Sequence, residues 1–160
     1  MIQPTEQQLS AALGVRRWVG DVLAAAPYAT IEALLIQASD SANPLSPDEI
    51  DEALAHHPRI GEQPIGTSAE AEFSRREQES ADDEDAHLAR KLAKGNADYE
   101  SKFGRLFLIR AAGRSRAEIL AELHRRLSID PANELQIVGE QLREIALLRL
   151  EKTFVDGTGA

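Results

Sequence analysis

One histidine stands immediately before a proline, His57-Pro58 in the stretch HHPRIGE, and Ser74, Glu77 and Gln78 follow a short way on. An enzyme that works without a metal or cofactor needs a proton carrier, a carboxylate to orient it and polar groups to hold the substrate. These residues supply that set. An imidazole titrates at about pH 6.5, so His57 can take up and return a proton near neutrality. Ser74, Glu77 and Gln78 stand at i, i+3 and i+4, so on a helix they share one face. His57 sits where a helix must stop, because Pro58 cannot continue it and biases the residue before it out of the helical region.

A second clue lies near the C-terminus. Leu135, Val138, Leu142, Ile145 and Arg149 are spaced 3, 4, 3 and 4, which puts Arg149 where an apolar stripe calls for leucine. A buried guanidinium is costly unless paired, so Arg149 should face an anion or a polar cavity. Each of these residues also has a plainer reading. Arg149 near a helix C-terminus can snorkel to water, where its charge suits the dipole. A histidine before proline is commonly a helix-end residue bonded to a carbonyl, and His56 beside it points to solvent. Ser74, Glu77 and Gln78 could form a solvated face beside Arg75, Arg76 and Glu79. His87 and His124 have no acidic or histidine partner at ligand spacing, so no metal site is expected. The glycines at 61, 66 and 104 read as turn residues without a phosphate-binding pattern.

The elements that must position these groups read as helices throughout, because no stretch sustains period-2 alternation while capping signals recur. Thr5-x-x-Gln8 opens a helix carrying Leu9, Leu13, Val19, Val22 and Leu23, closed by Pro27. Thr30 starts a second, with Ile31, Leu34, Leu35 and Ala38. Ser46-Pro47-Asp48-Glu49 starts a third, which runs into His57. Residues 58–67 form a loop rich in Gly and Pro. A fourth helix begins near Ser68 and carries Phe73 with the Ser/Glu/Gln face, before a turn at Asp82-Asp83-Glu84-Asp85. The next helix holds Leu88, Leu92 and Tyr99, and its turn-rich centre Lys94-Gly95-Asn96 is a place to bend or break; Gly104 ends it. Leu106-Phe107-Leu108-Ile109 is short and apolar, and periodicity does not separate extended from helical there. Ser115-x-x-Glu118 opens a helix with Ile119, Leu120, Leu123 and Leu127. Asp130-Pro131 starts the last helix, which runs to about Lys152, and residues from about 153 to 160 are expected to fray. The expectation is one compact all-α domain of several helices spanning residues 1–160.

The chain has 160 residues, enough for a sizeable core, with 42% hydrophobic and 28% charged residues, as in soluble globular proteins. A net charge of −9 and a pI of about 4.9 argue against nucleic acid or an anionic membrane as partner. A local arginine can still bind a small anion. The absence of cysteine excludes disulfides, thiolate catalysis, zinc–thiolate sites and Fe–S clusters. No apolar run approaches transmembrane length, MIQPTEQQ does not read as a signal peptide and DGTGA carries no peroxisomal tripeptide, so a cytoplasmic protein is expected.

Taken in order, His57-Pro58, Ser74-x-x-Glu77-Gln78, Asn96-x-x-Tyr99-x-x-Lys102-Phe103-Gly104 and the stretch from Glu134 through Arg149-Leu150 resemble the 2-oxo-4-hydroxy-4-carboxy-5-ureidoimidazoline (OHCU) decarboxylases of urate degradation. The likeness covers nearly the whole chain, including Trp18, Pro27 and the helix order. The HPRIGE form looks like the bacterial branch, where other branches carry an acidic residue and Leu in place of Arg59 and Ile60. Arg105-Leu106 departs from the aromatic-proline pair often found after the Phe-Gly.

The resemblance implies a cofactor-free, all-α enzyme, commonly homodimeric, that converts OHCU, a small ureide, to (S)-allantoin and CO₂. By that resemblance His57 is the acid/base and Glu77 orients it or binds ring and ureido N–H groups. Ser74 and Gln78 hold polar edges of the substrate, and Arg149 clamps an oxygen-rich part of it. Pro58 shapes the floor, and backbone groups of Phe107, Leu108, Ile109, Arg110 and Ala111 satisfy the remaining amide positions. Two other readings stay open: a hydrolase or isomerase on a different ureide with the same His/Glu/Arg set, or a non-enzymatic helical interaction module. The latter expects Arg149 and the Ser/Glu/Gln face to be exposed and apart.

Overall fold

Helix-capping chemistry sets the frame. The computed structural model describes residues 1–55 and 86–156, and among them stand seven α-helices. They are α1 (Glu6–Ala12), α2 (Arg16–Ala24), α3 (Ile31–Ser41), α4 (Pro47–Leu54), α5 (Ala86–Phe103), α6 (Arg116–Leu127) and α7 (Pro131–Glu151). The fold is all-α, and an isolated antiparallel bridge joins Ile2 to Tyr28. The expected caps are made. Thr5 and Gln8, Ser46 and Glu49, and Ser115 and Glu118 each exchange reciprocal side-chain-to-backbone hydrogen bonds, and Thr30 accepts from the Ala33 N–H. Each such cap satisfies N–H groups that the first turn leaves unpaired.

The chain falls into two compact units, one of Met1–Ala53 with the residues from Gly139 on, the other of Leu54–Val138. In the first, α1 packs on α2 and α2 on α3. Trp18 is fully buried and donates its indole N–H to Ala38 O at 2.9 Å, so the largest apolar side chain also pins α2 to α3. The single N-terminal helix expected up to Pro27 is instead α1 and α2, broken at Leu13, which is extended with φ −152° and ψ 114°. The break lets both Leu13 and Val15 be buried on either side of Gly14, which one continuous helix would not allow for residues two apart. Val15 offers no side-chain cap to α2; the Glu52 carboxylate of α4 accepts from Arg16 N–H instead, at 3.0 Å. Arg17 adds a fork to Glu49 at 2.7 and 3.1 Å and bonds to Asp21 and Ser41 O. Helix α4 ends at Leu54, short of His57.

In the second unit α5 packs on α6. Helix α5 runs unbroken through Lys94-Gly95-Asn96, contrary to the expected bend. The reason is packing: a Cβ on Gly95 would stand 2.4 Å from Leu123 Cδ2 on α6, so the glycine serves close approach rather than a turn. Gly104 ends α5 in the left-handed region, φ 72°, with its N–H on Glu100 O at 2.8 Å. After α7, Lys152–Asp156 continues as a π-helical turn instead of fraying from about residue 153. Phe154 is buried there and the Thr153 hydroxyl donates to Arg149 O at 2.8 Å. No helix among the described residues is long and apolar enough to cross a membrane.

Candidate active site

Of the expected site residues, His57, Pro58, Ser74, Glu77 and Gln78 lie outside the described residues, as do His56 and the acidic turn at 82–85. Phe107, Leu108, Ile109, Arg110, Ala111 and Arg149 lie within them. The question left open for Leu106-Phe107-Leu108-Ile109 is answered: the segment is neither helix nor strand, and Phe107, Leu108, Ile109 and Ala111 are buried while Arg110 is half-buried. Phe107, Ile109 and Ala111 pack in one apolar cluster with Leu92, Tyr99, Ile119, Leu120 and Leu123. The Tyr99 ring meets Phe107 edge-on at 5.3 Å and Phe103 at 4.5 Å.

A buried segment outside regular structure must find partners for its backbone polar groups elsewhere. Arg126, fully buried on α6, donates its Nη1 to the Leu108 carbonyl at 2.5 Å. Its Nε donates to Glu134 Oε1 at 2.7 Å, and its Nη2 donates to the same oxygen. The Tyr99 hydroxyl also donates to that oxygen at 2.5 Å. The guanidinium lies 4.9 Å from the Phe107 ring centroid, within cation–π range. Burial, reinforced by the hydrogen bond to the Glu134 carboxylate and its charge, pushes the Tyr99 hydroxyl well above the usual phenol range. Tyr99 therefore stays a neutral donor at any physiological pH. Glu134 Oε2 has no hydrogen-bond partner among the described residues.

Arg149 is 1% exposed and its Nη1 donates to Ala11 O at 3.1 Å, in the last turn of α1. The snorkelling reading is thereby rejected, and so is the exposed Arg149 that an interaction module would carry. Val138, Leu142 and Ile145 are buried along the same helix. Leu135 is only half-buried; the buried position at the start of the stripe is Glu134. Among the described residues no three His, Asp or Glu side chains gather as metal ligands would.

The model of the OHCU decarboxylase family matches residues 3–151. The chain belongs to the OHCU decarboxylase family. It is 38% identical over 109 residues, 66% of this chain, to the uric acid degradation bifunctional protein TTL of Arabidopsis thaliana. It is 39% identical over 67 residues, 42% of this chain, to a 2-oxo-4-hydroxy-4-carboxy-5-ureidoimidazoline decarboxylase of Amia calva. A uric acid degradation bifunctional protein of Bacillus sp. (strain TB-90) matches at 27% identity over 82% of this chain. These matches span 33%, 38% and 26% of the relatives' own lengths, in that order. The fold superposes on a crystal structure of OHCU decarboxylase determined in the presence of (S)-allantoin, with TM-score 0.80, 28% identity and coverage of 95% of this chain and 100% of that one. It shares its fold with an (S)-allantoin synthase structure at TM-score 0.63 and 20% identity, covering 91% of this chain and 48% of that one.

Within this OHCU decarboxylase fold, the residues that sequence reasoning left without a role are Tyr99, Arg126 and Glu134. The signal for Arg126 was present. Ile119, Leu123 and Arg126 stand at i, i+4 and i+7, the same anomaly that marks Arg149. Glu134 was masked by its place in the first turn of α7, where a carboxylate is expected at the positive end of the dipole. Its burial becomes legible once Val138, Leu142, Ile145 and Arg149 are continued backwards by four.

Proposed function

We propose that this protein decarboxylates OHCU to (S)-allantoin and CO₂ in urate degradation, without a metal or cofactor. The observation that carries the reading is the superposition on the whole of an OHCU decarboxylase chain at TM-score 0.80, within a family match over residues 3–151.

The chemistry suits the residue set. As the bond to the carboxylate carbon breaks, CO₂ leaves and the electron pair passes into the adjacent conjugated C=N and C=O system of the ring. The substrate thus carries its own electron sink. The protein must hold the carboxylate out of the ring plane, stabilise the enolate-like charge and return a proton to one face. In this reading His57 is the acid/base and Glu77 its orienting partner or a ligand of substrate N–H groups. Ser74 and Gln78 hold polar edges and Pro58 shapes the floor. Arg149 clamps an oxygen-rich edge with its planar fork, and backbone groups of residues 107–111 meet the remaining amide positions. The burial of Arg149 supports its part in this set, since a guanidinium held inside an apolar stripe is hard to account for by packing alone. The same reading takes the protein as cytoplasmic and homodimeric, which light scattering of the purified protein tests for assembly. The test of function is the decay of freshly generated OHCU followed by circular dichroism. Uncatalysed decay yields racemic allantoin, so a growing signal of one sign proportional to enzyme supports the reading, and a racemic product at the uncatalysed rate refutes it.

A further inference from the structure

We infer that Arg126 is a positioning residue for substrate binding: through the Leu108 carbonyl it aims the peptide between Leu108 and Ile109, so that the Ile109 N–H is presented as a donor to the ureide. The inference rests on the reading above that residues 107–111 meet the substrate.

The segment is held at both ends by the backbone, Gly104 N–H to Glu100 O at 2.8 Å and Arg114 N–H to Ala111 O at 3.1 Å. At its middle the hold comes from a side chain, Arg126 Nη1 on Leu108 O at 2.5 Å. A trans peptide is planar, so its C=O and N–H point in opposite directions. A Leu108 carbonyl turned to the buried guanidinium therefore turns the Ile109 N–H away from it. Ile109 is 3% exposed, and its N–H makes no hydrogen bond among the described residues. Buried N–H groups are almost always paired, and an acceptor-rich planar ligand would pair this one. The arginine is itself fixed in angle by Glu134, which takes two of its nitrogens, and by the Phe107 ring. Tyr99 in turn holds Glu134. Core filling alone would not require this arrangement, because an apolar trio fills the same space without burying charge.

The test begins with ¹⁵N chemical shifts of the intact protein titrated with (S)-allantoin. A shift at the Ile109 amide in the wild type is expected. Its absence would show that the segment does not meet the ligand, and would overturn the reading of residues 107–111 whatever Arg126 does. The second arm is the double variant Arg126→Met/Glu134→Met, which removes both charges together and leaves neither unpaired. Steady-state kinetics should show KM for OHCU raised about tenfold or more with kcat held within about threefold, the pattern of lost ground-state binding. An unchanged KM in the folded variant overturns the inference. If the double variant does not fold, Arg126→Lys carries the same test, since an ammonium stays beside Glu134 but cannot hold Leu108 O at the same time as the planar guanidinium does. Tyr99→Phe separates positioning from stability: it loosens Glu134 but leaves the Leu108 contact, so its Tm should fall while KM stays. A KM that rises in step with lost Tm across the variants, Tyr99→Phe included, would show Arg126 to be merely structural.

Discussion

Gly95→Ala and Gly20→Ala are the same substitution in two helices, and the structure gives them opposite signs. Alanine is favoured over glycine in a helix interior by about 1 kcal/mol. At Gly20, exposed on α2, no atom of the described residues stands within 4 Å of the added Cβ. That gain should appear nearly in full, raising Tm by about 2–4 °C for a chain of this size. At Gly95 the new Cβ would stand 2.4 Å from Leu123 Cδ2 and 3.2 Å from Leu123 Cγ. Leu123 is fully buried among Tyr99, Phe107, Ile109 and Ile119, so it cannot swing aside without disturbing them. Overpacking of this kind costs about 1–3 kcal/mol. Set against the propensity gain, the net is a loss of about 0–2 kcal/mol and a fall in Tm of a few degrees. Thermal unfolding of both variants, with Leu123→Ala and Gly95→Ala/Leu123→Ala completing a double-mutant cycle, reads the competition. The double variant should lose less than the sum of the singles, because the Gly95→Ala methyl then enters space that Leu123 vacates. A Gly95→Ala protein as stabilised as Gly20→Ala would refute the close approach and the packing account of α5 built on it.

Four further outcomes follow from the same reasoning. His57→Ala should remain folded and lose about 10²–10⁴-fold of the stereoselective rate, as removal of a general acid–base group does; near wild-type output of (S)-allantoin would show that His57 is not the acid/base. Arg149→Lys should lose most turnover, since one ammonium cannot reproduce the two-point fork, and steady-state kinetics of a variant that matches wild type would return Arg149 to a structural role. Exhaustive chelator treatment should leave activity intact; loss with recovery on adding a divalent ion would overturn the cofactor-free mechanism. The Glu49 carboxyl is held below the usual carboxylate range, chiefly by the hydrogen bond from Arg17, so its contribution is present above about pH 4.3 and is lost as pH falls through its lower folded value. Glu49→Gln, which can keep the capping box, should therefore cost up to about 1 kcal/mol at pH 7 and nothing at the acid end, read as a Tm gap that closes as pH falls.

Helix starts were legible because their chemistry is local. Thr5, Thr30, Ser46 and Ser115 announce first turns, and each bonds as its type requires. What stayed hidden depends on partners distant in sequence. Helix α2 begins at Arg16 with no side-chain cap from Val15, and Glu52, 36 residues beyond Arg16, accepts from its N–H instead. Gly95 reads as a breaker until Leu123 is seen beside it. The segment 106–109 is equally apolar whichever way it folds, and what holds it is Arg126, 18 residues beyond Leu108.

The candidate site divides along the same line. Arg126 and Arg149 break apolar stripes in the same way, and both prove buried, at 0% and 1% exposure. Spacing thus tells where a charge goes inside, but not what it meets there. Arg126 meets a carboxylate and a backbone carbonyl of its own unit, so its charge is balanced and its fork is spent on geometry. Arg149 donates, among its contacts, to the Ala11 carbonyl at the end of α1. In the proposed enzyme Arg126 therefore belongs with the scaffold of residues 107–111, and the place proposed for Arg149 among the substrate-binding groups is what the kinetics of Arg149→Lys decide.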